Sequence, residues 1–175
     1  MYLHTIEVEN YSIHRASVLH LHPLTVLVGP CGGGKSAFFD AITNFSMVAR
    51  GRIGEAFGYW PFSFEARRFH GAAKDERIGF RVEMSPSKAA ASRYAYRIDY
   101  EQVPFADDDL GEPRYRIVNE QLEQLDGDRA VHFRRSPRRF HSSIAAAEPF
   151  LTQDRSVFAA IRRAVADNAG AAVDP

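Results

Sequence analysis

The 175-residue chain has a single cysteine, Cys31, so no disulfide forms within it and its composition gives no sign of an oxidising compartment. Neither charge is in excess. The 22 Lys and Arg residues face 22 Asp and Glu, and a formal net charge of +0 offers no overall field to draw in a polyanion. Any nucleic-acid role therefore has to rest on a local patch. A long apolar run is also lacking: the longest stretch without Asp, Glu, Lys or Arg, from Ala16 to Gly34, holds His20, His22, Pro23, Pro30 and four glycines, which a hydrocarbon-spanning helix would not carry together. Met1 leads straight into Tyr-Leu-His-Thr-Ile-Glu instead of a basic and then apolar leader. The expectation is a cytoplasmic, reducing setting with no membrane span. No internal repeat is visible.

With 45% hydrophobic and 12% aromatic residues, the chain falls among ordinary globular sequences that fold around one core. Ile6 and Val8 alternate with Thr5 and Glu7, which predicts a half-exposed strand, while the continuous run Thr25-Val26-Leu27-Val28 predicts a buried one. From Lys35 to Ala49 the spacing changes to that of a helix, with Phe38, Ile42, Phe45 and Val48 on one stripe. Gly51 and Gly54 follow as breakers. Residues 51–75, around Trp60-Pro61-Phe62, have no clear period and read as an irregular connection. The second half alternates with period two: Ile78, Phe80, Val82 and Met84 share a face, as do Tyr94, Tyr96, Ile98 and Tyr100, then Tyr115 and Ile117, then Val131 and Phe133. Asp126-Gly127-Asp128 sits where a hairpin turn belongs. A last helix from about Asp154 to Ala166 is expected, with Asp99 and Asp107-Asp108-Asp109 on a surface strand and loop.

Chemistry concentrates at Gly29-Pro30-Cys31-Gly32-Gly33-Gly34-Lys35-Ser36, which matches the phosphate-loop pattern G-x-x-x-x-G-K-(S/T) and lies between a predicted strand and a predicted helix. Glycines let the backbone wrap so that successive N–H groups point inward at phosphate oxygens, where side chains at Gly32, Gly33 or Gly34 would obstruct. The helix start adds its positive dipole end. Lys35 is suited to bridge the β- and γ-phosphates and the Ser36 hydroxyl to ligate Mg²⁺. The expected nucleotide contacts are Gly29, Pro30, Cys31, Gly32, Gly33, Gly34, Lys35, Ser36 and Ala37, with Ser36 as the metal ligand.

The opening stretch, Ile6-Glu-Val-Glu-Asn10-Tyr11-Ser-Ile-His14-Arg15 and then Leu24-Thr-Val-Leu-Val-Gly29 through Lys35-Ser36-Ala-Phe-Phe-Asp40-Ala-Ile42, resembles the start of an ATP-binding-cassette head of the SMC, RecF and OLD-nuclease branch. The likeness covers about the first 45 residues. It implies an α/β fold, the N-terminal lobe of a P-loop NTPase head with a mixed sheet (residues 1–50), an antiparallel β-subdomain (76–135) and a C-terminal helix and tail (150–175). Asn119-Glu120-Gln121-Leu122 resembles the Glu-x-Leu that often ends a strand there. In relatives a basic residue in the turn after the first strand reaches the phosphates, which points to Arg15. The resemblance also implies ATP and Mg²⁺ as cofactors, and a complementary C-terminal segment or second head as partner. The Asp-Glu strand end, the Ser-Gly-Gly-type signature and the late His that such heads use for hydrolysis are not found in this sequence, so the resemblance implies an ATPase only as part of a complete head, with slow or no hydrolysis by this chain alone, and DNA maintenance or defence against foreign DNA as the setting.

Two alternatives stay open. A P-loop kinase uses the same cradle, with arginines between Arg134 and Arg139 as lid residues, and a binding module senses nucleotide without hydrolysing it. Arg134, Arg135, Arg138 and Arg139, flanked by aromatics, are a candidate DNA-phosphate patch.

Overall fold

The computed structural model describes residues 2–50, 53–57, 63–73, 76–103, 114–126, 131–136, 139–142 and 156. The expectations for Trp60-Pro61-Phe62, Asp107-Asp108-Asp109, Arg138 and the helix over Asp154 to Ala166 fall outside them, Ser156 excepted.

Seven strands form one sheet in the order β2-β1-β3-β4-β5-β6-β7. They are β1 (Tyr2–Tyr11), β2 (His14–His20), β3 (Ile78–Ser85), β4 (Tyr94–Val103), β5 (Arg114–Gln124), β6 (Val131–Ser136) and β7 (Arg139–Ser142). Every pairing between them is antiparallel, so the mixed sheet expected from the sequence is antiparallel throughout its described strands. Helices α1 (Lys35–Arg50), α2 (Ile53–Ala56) and α3 (Phe64–Arg67) lie in the connection from β2 to β3.

Period-two alternation in β3 and β4 places Ile78, Phe80, Val82, Tyr96, Ile98 and Tyr100 on one buried face, and the antiparallel register brings Ile6 and Val8 of β1 into line with them. Helix α1 covers this face. Phe38, Ala41, Asn44 and Val48 are its buried residues, and the Phe45 ring packs on Phe80 and Tyr96 with centroids 5.5 and 5.9 Å apart. Burial of such side chains contributes roughly 1.5–3 kcal/mol each, which makes this α-on-β layer the main source of stability. Asn44, fully buried, is satisfied by accepting from the Tyr100 hydroxyl at 2.8 Å and donating to the Ala56 carbonyl at 3.4 Å. Phe57 and Phe64 close the cluster against Tyr100 and Tyr115.

The opposite face is polar and pairs its own charges. Arg81 bonds Glu7 and Glu83 at 2.6 and 2.8 Å, Arg97 bonds Glu9 and Asp99 at 2.7 and 2.9 Å, and Arg116 binds Glu101. Asp99 is buried within β4 under Arg97 and Asn119, and is not a surface carboxylate as the sequence reading has it.

The predicted buried strand at Thr25 to Val28 does not form. Residues 23–30 carry no strand pairing, and Leu24, Val26 and Val28 are 82%, 71% and 89% exposed. A continuous apolar run becomes a buried strand only when neighbours cover both of its faces and edges, and among the described residues none does.

Candidate functional site

Immediately after this exposed run, Gly29 to Gly34 turn the chain into α1. Gly33 N donates to the Pro30 carbonyl at 3.2 Å, making a tight turn, and Phe38 N donates to the Gly34 carbonyl at 2.8 Å, opening the helix. Gly32 and Gly34 sit at φ of +78° and +86°, a region open to glycine without steric cost. A side chain at Gly34 would also meet Ile13 Cδ1 at 2.7 Å and at Gly33 the Pro30 carbonyl oxygen at 3.1 Å, whereas at Gly32 it would meet nothing within 4 Å. Within the chain itself, glycine at 32 is thus required by backbone conformation and not by crowding.

Lys35 curls back over the loop. Its Nζ donates to the carbonyls of Gly29 at 2.8 Å and Pro30 at 2.7 Å, so the ammonium is held at the loop by the loop's own backbone. Ser36 is exposed on the first turn of α1, beside half-buried Ala37, and Cys31 is exposed and free within the loop. The positive-φ glycines, the tethered ammonium, an exposed hydroxyl and the N-terminus of a 16-residue helix form a set that suits a polyphosphate carrying a divalent ion. Among the described residues no group of three or more His, Cys, Asp and Glu is placed to hold a metal by itself. Among those residues, too, no helix is long and apolar enough to cross a membrane.

The β1–β2 turn packs against this loop through His14, a residue the sequence reading passed over because a lone histidine carries no spacing signal. Its Nε2 lies 3.1 Å from the Gly34 carbonyl oxygen, its Nδ1 lies 2.8 Å from Ser17 Oγ, and its ring stands edge-on to Phe38 at 5.5 Å. Arg15, in contrast, is engaged elsewhere: its guanidinium pairs with Glu76 at 2.8 Å and lies 5.8 Å over the Phe69 ring.

Behind the loop, Asp40 of α1 accepts from the Tyr11 hydroxyl at 2.6 Å and from Arg67 Nε and Nη2 at 3.2 and 3.1 Å. Burial, with the Asp40 carboxylate beside it, pushes the Tyr11 phenol far above its ordinary range. This cluster fixes the helix that carries Lys35 and Ser36.

Of the four candidate arginines, Arg134 and Arg135 have described side chains, and the strand sends these two to opposite faces. Arg134 is exposed on the polar face and donates to Gln121 at 2.9 Å, while Arg135 is 8% exposed on the apolar face, 3.6 Å from the fully buried Glu120 carboxylate. Successive residues of a strand point to opposite faces, so the two cannot present one patch. Glu120, at the centre of β5 and not at its end, also accepts from the Tyr96 hydroxyl at 2.7 Å.

A comparison with curated proteins finds no match. The profile of the family described as "AAA domain, putative AbiEii toxin, Type IV TA system" matches residues 24–171, which begins at the exposed run and takes in the glycine-rich loop, α1 and the sheet from β3 onward. Over that span, most of its length, the chain belongs to this AAA domain family.

Proposed function

We propose that the chain binds ATP with Mg²⁺ through a Walker A phosphate loop at residues 29–37, as the nucleotide-binding lobe of an ATPase of the SMC, RecF and OLD-like branch. The observation that carries this reading is the loop itself, with Gly32 and Gly34 at positive φ, the Lys35 ammonium held over it and α1 starting at its end. Loop N–H groups and the helix N-terminus would hold the phosphate oxygens, Lys35 would move from its two carbonyls to the β- and γ-phosphates, and Ser36 would ligate the metal. Bound Mg²⁺ supplies charge neutralisation on the terminal phosphates.

The same lobe is half of a site. Leu24, Val26 and Val28 leave apolar surface in water directly before the loop, and Phe39 and Met47 do the same on α1, at 59% and 42% exposure. Exposure of this kind supports completion by a complementary head segment or a second head, and hydrolysis then depends on that completion. The family's printed association with a toxin of a toxin–antitoxin system favours a defence role over general DNA maintenance. The kinase alternative needs alternating βαβ units, and the antiparallel order of the described strands gives it no support.

Titration calorimetry of the purified chain with ATP and Mg²⁺, against Lys35→Ala, tests the reading. Saturable binding weakened at least tenfold in the variant is expected; equal binding by both chains would remove Lys35 from the site and the reading with it.

A further inference from the structure

We propose that His14 is a positioning residue for the glycine-rich loop, a brace through which the β1–β2 hairpin holds the last loop glycine in its phosphate-ready conformation. The consequence for ATP rests on the function proposed above; the brace itself does not.

Three contacts converge on one side chain. A carbonyl oxygen can only accept, so the 3.1 Å approach of Nε2 to the Gly34 carbonyl puts a proton on Nε2, and in the neutral ring Nδ1 accepts from the Ser17 hydroxyl at 2.8 Å. The Gly34 carbonyl thereby sets the tautomer, and the Ser17 hydroxyl, turned to donate to Nδ1, supports it. The edge-on contact with Phe38 then fixes the plane of the ring.

The acceptor is well chosen for leverage. The Gly34 carbonyl already takes the bond from Phe38 N that opens α1, and Gly34 carries φ of +86° one residue before Lys35. Fixing this peptide fixes the direction in which the following N–H groups point. Space around it is already filled, since a Cβ on Gly34 would meet His14 Cε1 at 3.0 Å as well as Ile13 Cδ1 at 2.7 Å. The hairpin is itself pinned: Ser12 N donates to the Arg67 carbonyl and Asn10 accepts from Phe69 N at 3.0 Å, so the histidine projects from a fixed base.

The decisive comparison is amide hydrogen exchange over residues 31–36 in the nucleotide-free chain, for the wild type, His14→Phe and His14→Gln, with Ser17→Ala as a milder variant. Phenylalanine keeps a ring against Phe38 and removes the donor, whereas glutamine restores an N–H at similar reach. Loss of one hydrogen bond predicts exchange about five-fold faster in His14→Phe, a smaller rise in Ser17→Ala and near-wild-type exchange in His14→Gln. Identical exchange in all four chains, or equal acceleration by Phe and Gln, would overturn the brace. A parallel ATP titration is expected to show affinity falling by about the same five-fold factor in His14→Phe alone. Were wild type and Lys35→Ala to bind ATP alike, the nucleotide reading would fall while the exchange data still decided the role of His14.

Discussion

Arg67 closes on Asp40 with two guanidinium nitrogens, 3.2 and 3.1 Å from its carboxylate oxygens, and so ties α3 to the helix that begins at the glycine-rich loop. The arginine side chain is 11% exposed and the aspartate 42%, so the pair is neither dry nor freely solvated. Such a geometry is worth more than a surface ion pair and less than a buried one. A double-mutant cycle of Asp40→Ala and Arg67→Ala, read by urea unfolding, should give a coupling of about 1 kcal/mol. Additive single effects would mean the contact is ornamental.

Gly79 is the point on the polar face where two carboxylates approach the backbone: a Cβ there would meet Asp99 Oδ1 at 2.8 Å and Glu9 Oε2 at 3.1 Å. Both carboxylates are held there by Arg97. Gly79→Ala should therefore destabilise the chain by about 1–3 kcal/mol, even though alanine suits a strand better than glycine does. A stabilised variant in denaturant titration would show that the ion pairs shift aside freely.

Four phenols stand above their ordinary range, Tyr96 and Tyr100 chiefly through complete burial, Tyr11 through burial and the Asp40 contact, and Tyr115 through burial. A raised folded-state pKa means that the unfolded chain loses the proton first. Stability from these groups is therefore full below about pH 10 and is lost as pH climbs past that value toward the folded-state pKa values. Ultraviolet titration of the folded protein should leave these tyrosines protonated until the chain unfolds, in one cooperative alkaline step. Smooth ionisation of all seven tyrosines near pH 10 without loss of structure would contradict the packing described.

Val26→Asp and Val28→Asp should change the stability of the isolated chain by no more than about 0.5 kcal/mol, because both side chains already sit in water. They should lower self-association, seen by light scattering, since an unpaired apolar segment is a template for another strand. A loss above about 1 kcal/mol in either variant would mean that the run is packed in solution.

The strands β3, β4 and β6 and the helix α1 were legible because their apolar spacing has one meaning wherever a single face is buried, as Ile78, Phe80 and Val82 show. The run from Thr25 to Val28 misled because burial belongs to the neighbours and not to the run. Glu120 and Arg135 were illegible for another reason. The pairing of β4 with β5 shifts between Asp99 and Tyr100, so that Tyr100 faces Ile117 while Ile98 faces Glu120. Strict alternation from Ile117 would have sent Glu120 to the solvated face, and the irregularity turns it inward. In the loop, the residues at 29–36 were legible as a motif, but the tethering of Lys35 and the contact from His14 depend on chain segments that no local pattern joins.

The lysine tether sets a threshold on what the loop would accept. An incoming anion must draw the ammonium away from two carbonyls at 2.8 and 2.7 Å before it gains the full attraction of that charge. A ligand with one modest negative group gains little from that exchange, whereas a chain of phosphates offers several oxygens to replace the bonds given up. On the proposed function, the loop's own cation would guard it in this way against small anions, and its selectivity would begin before any base or sugar is touched.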